Sequence, residues 1–382
     1  MDKKINVVVV GLMFGGAFVK IYKEHPAVGT VGLCDADAGT LKKASDATGI
    51  RKTYASLGEA LGDGEVDAVH LVTPIPLHEE HALAVLGAGK HCACTVPMAT
   101  SVEGIGRIKD AVKKSGKNYM MMETALYTYQ ILYVRSLIKS GEFGRVQFMR
   151  GSHYQDMSGW PDYWDGLPPM WYGTHAIAPM AGLAGARIKR VFCFGSGSMD
   201  RRLHERYGNP FPVESALFEF ENGLKAEATR TLFETAREYQ EGLSVYGSKM
   251  SFEWGFRDMD DPYVTRFVEN AGDAAGAAAR GKRTAVSQVE MPNFAGALPE
   301  PIRRFTVGDG MFDPLNPQDS LSKGKGGGHH GSHPHLVDEF LSSIAEGRKP
   351  YIDENLAGNI TAAGVRAHES AMMGGALLDV PY

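Results

Sequence analysis

The amino-acid sequence predicts an α/β protein in which a doubly wound parallel sheet is followed by an α+β domain built on a large, mostly antiparallel open sheet. Three observations carry this expectation. Apolar strand-like runs alternate with helical patterns as far as residue 122, long β-type runs dominate beyond it, and the pair Asn222-Gly223 between two of those runs is a hairpin signal. At 382 residues the chain is long enough for two domains, each with a substantial core, placed at 1–122 and 123–382.

The elements follow in order. "INVVVV" is a continuous apolar run of the kind that fills a strand buried on both faces, and "GLMFGGAFVKIYKEHP" leads from it through glycines into a helix. "TVGLCDAD" is a second strand ending in acids, and "DAVHLVTP" a third stopped by Pro74. "EEHALAVLGAGK" is a helix ended by glycines, "HCACTVP" a fourth strand, and "YMMMETALYTYQILYVRSLIKSGEFG" a strand and then a helix. The runs "RVQFMRGSHY", "IKRVFCFGSGSM", "ESALFEFENGLKAEATRTLF" and "EGLSVYGSKMSFEWG" predict an antiparallel sheet. Residues 257–330 predict a long irregular segment containing "NAGDAAGAAARGK" and "KGKGGGHHGSHPH"; a segment of that kind builds a site or moves. The helices "LVDEFLSSIAEG" and "LAGNITAAGVRAHESAMMGG" close the chain.

With 43% hydrophobic and 22% charged residues the composition is that of an ordinary globular protein. A formal charge of −5 argues against a general nucleic-acid or anionic-membrane surface and points to a small-molecule partner. The opening "MDKKINVVVVGL" has too short an apolar run for a secretory or membrane-spanning segment, so a cytoplasmic location is expected. Cys34, Cys92, Cys94 and Cys193 lie in apolar strand-like surroundings without zinc spacing and are expected to be reduced core residues.

After the first strand comes a Rossmann fingerprint whose first, third and sixth positions are Gly11, Met13 and Gly16, with Gly15 added; the middle glycine is missing. Gly11, Met13, Phe14 and Gly15 are therefore expected to cradle a pyrophosphate. Asp35 lies 24 residues beyond Gly11 at the end of the second strand, where its carboxylate suits a ribose hydroxyl. Ala36 rather than an arginine follows it, which favours NAD over NADP.

The stretch "VTPIPLHEEHALAVLGAGKHCACTVP" resembles the T-P-x-x-x-H…A-G-K-H…E-K-P segment of the Gfo/Idh/MocA oxidoreductase family, with Thr73, Pro74, His78, Gly89, Lys90, His91 and Pro97 matching. The resemblance continues through "LIKSGEFGRV" into the carboxyl-terminal sheet. It implies a nicotinamide nucleotide at the carboxyl edge of the first domain, bordered by Thr73, Pro74, His78, Thr95, Val96, Pro97 and Glu123, with its reactive ring facing the second domain. Three positions depart from the family: Ile75 replaces an asparagine, Val96 the Glu-Lys-Pro lysine, and Trp171 the aspartate four before the second-domain histidine. Val96 cannot take a proton, so another base is needed.

A narrower resemblance supplies one. "WYGTHAIAP" is similar to the Y-P-T-H-G-x-G-P motif of NAD-dependent glycoside hydrolases of the α-N-acetylgalactosaminidase type, a group without that lysine and often with valine before the proline. Glu123 in "MMMETALY", Tyr154 in "SHYQD", Tyr239 in "REYQEGLSVYGSK" and the segment "GGGHHGSHP" resemble further motifs of the group. The resemblance implies hydride removal at C3 of a hexopyranoside, loss of the C2 proton, elimination of the C1 aglycone, water addition and hydride return. Tyr172 and His175 would serve the C3 hydroxyl, Tyr154 the C2 proton, and Glu123 the nicotinamide side or leaving group, while Trp171, Tyr172, His175 and Tyr239 bind the sugar. From the residues alone, Tyr172 and His175 are three apart and lean from one helical turn. Two other readings stay open: a net sugar or cyclitol dehydrogenase in which His175 or Tyr172 stands in for the lysine, and a non-catalytic dinucleotide-binding subunit.

"GWPDYWDGLPPMWY", with Asp162 and Asp165, suits either a core or a sugar platform. The cations Arg150, Arg187, Lys189, Arg190, Arg201, Arg202, Arg230 and Arg237 are enough for an anion pocket, so a sulfonated glucoside, the substrate of a related sulfoquinovosidase group, stands beside N-acetylhexosaminides. His329, His330, His333 and His335 lack an accompanying acidic or cysteine ligand set; solvated histidines and no metal are expected. An open second-domain sheet invites a symmetric partner, giving a homo-oligomer, dimer or tetramer.

Overall fold

The computed structural model describes residues 4–258, 260–268, 283–307 and 328–382. Its first sheet is assembled from β1 (Ile5–Val10), α1 (Leu12–Glu24), β2 (Val28–Cys34), α2 (Ala38–Thr48), β3 (Thr53–Tyr54), α3 (Leu57–Gly62), β4 (Ala68–Leu71), α4 (His78–Gly87), β5 (His91–Cys94), α5 (Val102–Ser115) and β6 (Tyr119–Met121). All pairings are parallel, in the order β3-β2-β1-β4-β5-β6. β1 and β4 are buried almost throughout, because helices cover both faces of a parallel sheet. The order reverses between β1 and β4, and a crevice for a nucleotide opens there at the carboxyl ends.

The chain continues through α6 (Tyr129–Ser140), β7 (Val146–Tyr154), α7 (Thr174–Ala184), β8 (Ile188–Ser196), α8 (Arg201–His204), β9 (Val213–Phe220), β10 (Lys225–Thr231), β11 (Gln240–Gly247), β12 (Met250–Glu253), β13 (Tyr263–Val268), β14 (Arg283–Gln288), α9 (Gly328–Ala345), α10 (Glu354–Met372) and β15 (Leu378–Asp379). Among the described residues the second sheet has nine strands, β14-β13-β12-β11-β7-β10-β9-β8-β15. Every pairing in it is antiparallel except β7 with β10. The sheet is thus mostly antiparallel, as the sequence predicts. Between β7 and β10 the chain passes through α7, β8 and β9 and returns in the same direction. Asn222-Gly223 turns β9 into β10 as expected, with Gly223 at φ +87° and Leu224 N–H donating to the Asn222 side chain at 3.1 Å.

Two expectations change. Within 257–330 the strands β13 and β14 pair over six residues, extending the sheet where an irregular segment is expected; the alanine-rich piece and residues 323–327 of the glycine tract lie outside the described residues. His330, His333 and His335 are buried rather than solvated, because the chain turns inward at the start of α9 and packs against α1. All four cysteines are buried and free. Among the described residues no helix is long and apolar enough to cross a membrane, and no group of three or more histidine, cysteine or acidic residues could hold a metal.

Candidate active site

At the carboxyl end of β1, Gly11 takes φ +87°, and a Cβ there would collide with the Val72 carbonyl oxygen, so only glycine fits. The next amide, Leu12 N–H, donates to Asp35 Oδ2 at 2.8 Å, and Asp37 N–H donates to Asp35 Oδ1 at 2.9 Å. The carboxylate is thereby fixed beside the turn with lone pairs left for ribose hydroxyls. Met13 (79% exposed) and Phe14 (43%) stand out from the start of α1, where no side chain caps the helix. This backbone cradle, helix terminus and strand-end carboxylate fit a dinucleotide. The close-packing glycine is Gly15 rather than Gly16: a Cβ on Gly15 would lie 3.0 Å from Val9 Cγ1, whereas Gly16 faces open space. Gly11→Ala is therefore expected to cost about 2 kcal/mol or more of stability and to weaken NAD binding at least tenfold. Gly16→Ala should do neither, and fluorescence titration with NAD alongside thermal melts tells the two apart.

His78 is buried, with Nδ1 2.7 Å from the Pro97 carbonyl and Nε2 2.8 Å from that of Thr73. It staples the loop after β4 to the one after β5, and so acts on the cofactor edge through those loops. Thr95 Oγ1 donates to the Leu71 carbonyl at 3.3 Å, and Thr73 Oγ1 meets His81 at 3.1 Å. Pro74 begins the turn that leads into α4, and Val96, buried, is joined to Pro97 by a cis peptide bond.

Across the crevice, strand register builds a row. Arg230 on β10 pairs with His153 on β7, which pairs in turn with Glu241 on β11. All three are buried, so a cation, an imidazole and a carboxylate stand side by side beneath the site. Arg230, 0% exposed, donates to the carbonyls of Tyr172 (3.0 Å), His153 (3.2 Å) and Thr231 (2.6 Å) and to Gln155 Oε1 (3.0 Å). Burial brings its pKa down to about 10, opposed by Tyr172, Tyr239 and Glu241. Burial, then Arg230 and His175, holds His153 well below its ordinary value; the imidazole is neutral, and neither ring nitrogen has a hydrogen-bond partner among the described residues.

Above the row lie Tyr172, His175 and His329. The Arg230 guanidinium sits 5.1 Å from the centre of the Tyr172 ring. The His175 ring lies 4.9 Å from that of His153 and, stacked, 5.8 Å from that of His329. His175 enters from the first turn of α7, its Nδ1 2.6 Å from Oε1 of the fully buried Glu123 and its Nε2 3.3 Å from Tyr172 Oη. Glu123 fixes the tautomer by accepting from Nδ1, which leaves Nε2 to exchange protons through Tyr172. Burial lowers the His175 pKa, but the charges of Glu123 and Glu241 and the hydrogen bond to Glu123 outweigh it, and the net shift is upward. Burial pushes the Tyr172 hydroxyl up. On the other side Tyr239 Oη donates to Glu241 Oε1 at 2.5 Å, and His329 Nδ1 meets the same oxygen at 2.8 Å. Desolvation raises the Glu241 pKa, but His175, His329 and His153 outweigh it and hold the carboxyl well below its ordinary range.

Of the residues singled out in sequence, Glu123, Tyr172, His175 and Tyr239 come together. Tyr154 does not. A Cβ on Gly151 would strike the Ala176 carbonyl, so odd-numbered residues of β7 face α7, and Tyr154 points to the other side of the sheet beneath Arg237. Trp171 is also turned away, its ring edge-on to Tyr207 and His368 at 5.8 Å. Trp164 of the aromatic cluster packs edge-on against Tyr172 at 4.8 Å and forms a wall, while exposed Asp162 pairs with Arg206. The cations do not converge: Arg150, Arg187, Arg190 and Arg202 pair with Glu227, Glu221, Glu219 and Asp200, and Arg230 alone of the eight lies against Tyr172. His153 and Glu241 went unrecognised in sequence; only strand pairing marks them out.

Residues 5–123 match the model for an oxidoreductase family with an NAD-binding Rossmann fold, and residues 131–253 match that for the GFO/IDH/MocA C-terminal domain. The chain belongs to the Gfo/Idh/MocA family. Over 173 residues it is 29% identical to 1-carboxy-3-chloro-3,4-dihydroxycyclohexa-1,5-diene dehydrogenase of Comamonas testosteroni, covering 43% of this chain and 42% of that one. Over 210 residues it is 25% identical to a glycosyl hydrolase family 109 protein of Porphyromonas gingivalis, covering 49% and 45%. These matches span under half the length of either relative. Among solved folds, levoglucosan dehydrogenase in complex with NADH and levoglucosan superposes with a TM-score of 0.75 at 21% identity over 100% of both chains. Myo-inositol 2-dehydrogenase from Lactobacillus plantarum superposes with 0.72 at 17% identity over 99% of this chain and 100% of that one. The first domain is thus the NAD-binding Rossmann domain of a Gfo/Idh/MocA enzyme.

Proposed function

We propose that this enzyme is an NAD-dependent glycosidase that cleaves a hexopyranoside through transient oxidation at C3. The observation that carries the reading is the pair of carboxylate-anchored proton-transfer groups gathered over one face of the second sheet: Glu123–His175–Tyr172 on one side, and Glu241 with Tyr239 and His329 on the other. Hydride transfer from an alcohol needs one base; oxidation followed by elimination needs two. Gly11, the start of α1 and Asp35 would hold NAD, which when bound would supply a reversible hydride acceptor. Tyr172 takes the proton of the C3 hydroxyl as it passes its own to His175 Nε2, and Glu123 at Nδ1 balances the imidazolium that forms. A C3 ketone acidifies the C2 hydrogen, the aglycone leaves C1, water adds, and the same groups run in reverse. The glycosyl hydrolase family 109 relative supports the reading.

A net sugar or cyclitol dehydrogenase is the second reading, favoured by the full-length likeness to the levoglucosan and inositol dehydrogenases. Aryl hexopyranosides varied at C2 and C6, supplied in heavy water, separate the two. The expected result is aglycone release without net NADH and deuterium at C2 of the freed sugar. Stoichiometric NADH with no aglycone would overturn the glycosidase reading. Phe194, Phe267 and Val286, exposed on the outer sheet face, support a homo-oligomer.

A further inference from the structure

Glu241 and His329 repeat the geometry of Glu123 and His175. In both pairs a buried carboxylate Oε1 meets Nδ1 of the imidazole, at 2.8 Å and 2.6 Å, so Nε2 is the working nitrogen. The two rings are stacked with an interplanar angle of 25°. His329 reaches this place through an unusual turn: His329, His330 and Gly331 all lie in the left-handed region, at φ 46°, 50° and 76°. L side chains rarely adopt that conformation, and it persists where surroundings over-determine it. Here His330 Nε2 lies 2.7 Å from Asp258, Gln130 Nε2 lies 3.3 Å from His330 Nδ1, and a Cβ on Gly331 would strike the Tyr129 ring. The turn also abuts the cofactor domain, since the Phe14 ring lies 6.0 Å from that of His329. His329 thus stands where the nucleotide edge meets the substrate sheet, and Tyr154, the sequence's candidate for the C2 proton, does not.

We infer that His329, oriented by Glu241, is the base that removes the proton from the carbon beside the oxidised one. This rests on the proposed glycosidase cycle. The C2–H bond breaks, its proton goes to Nε2, and its electron pair becomes the C1–C2 double bond conjugated with the C3 carbonyl. The C1–O bond breaks, and the departing oxygen keeps that pair and takes a proton from water. The carbonyl arises from hydride loss to bound NAD, so no other oxidant is required.

A 1,5-anhydrohexitol matched to the best aryl glycoside has no leaving group at C1, so its C2 exchange in heavy water, followed by proton NMR with the NAD-loaded enzyme, reads this step alone. Wild-type enzyme is expected to exchange C2. His329→Asn keeps a donor for Glu241 and a residue that tolerates the left-handed turn. It should slow exchange at least about 10²-fold while slowing the 340 nm absorbance rise on mixing less than tenfold. Glu241→Gln should slow exchange about tenfold, and it carries the test if the asparagine variant fails to fold. No exchange by the wild type, exchange by His329→Asn within threefold of wild type, or equal loss of exchange and absorbance change would overturn the assignment. A wild type that exchanges C2 but releases no aglycone defeats the glycosidase reading and leaves His329 as the base.

Discussion

His175→Ala is expected to lower kcat/KM by about 10³-fold, with NAD binding retained, because the nucleotide is held from the other domain. A loss under tenfold would remove His175 from the chemistry. The pH dependence gives an independent sign. The rate requires neutral imidazole and therefore rises with pH through the pKa of His175, which the buried Glu123 and Glu241 hold above the ordinary value near 6.5. Glu123→Gln removes the strongest upward influence, so the midpoint of the pH profile should move down even as the rate itself falls about 10²-fold. Stability runs the other way. A raised pKa means the folded state binds the extra proton, so the contribution of this ion pair is full below about 6.5 and is lost as pH rises through the folded value. Urea melts of wild type and Glu123→Gln should therefore converge as pH rises through that window, and a constant difference would contradict the linkage.

Arg230→Met is expected to be the most damaging change for stability. The guanidinium is fully buried and serves three carbonyls and one amide oxygen, and among the described residues no carboxylate lies within ion-pair distance of it. Removing it strands those four buried acceptors, a loss of about 3–5 kcal/mol. Arg230→Lys keeps the charge but not the planar fork, so it should recover less than half of that loss. Denaturant unfolding checks both variants; a methionine variant within about 1 kcal/mol of wild type would show that the buried cation is dispensable.

Much of the first domain was legible because its signals are local. A buried strand, a glycine that alone fits the turn at Gly11, and an acid at the next strand end all lie within 35 residues, and each is dictated by backbone sterics or burial. Gly15 and Gly16 show the limit: which of two adjacent glycines is pressed against Val9 depends on helix rotation over the sheet. The Tyr172–His175 pair was legible for the same reason as Gly11, since residues three apart on one turn meet whatever the rest of the chain does.

The sequence by itself therefore determined the αβ alternation, the hairpin at Asn222-Gly223, the nucleotide turn and the loss of the lysine at Val96. Tertiary structure alone decided which face of β7 looks at the site. With a two-residue period, His153 and Tyr154 are indistinguishable until Gly151 is seen to touch α7, and that contact chose the histidine. It also decided the fate of His329, a residue 88 positions from Glu241 along the chain that meets it only because the start of α9 folds back over the sheet. Pairings so distant in sequence are set by strand register and helix docking, which no local pattern encodes.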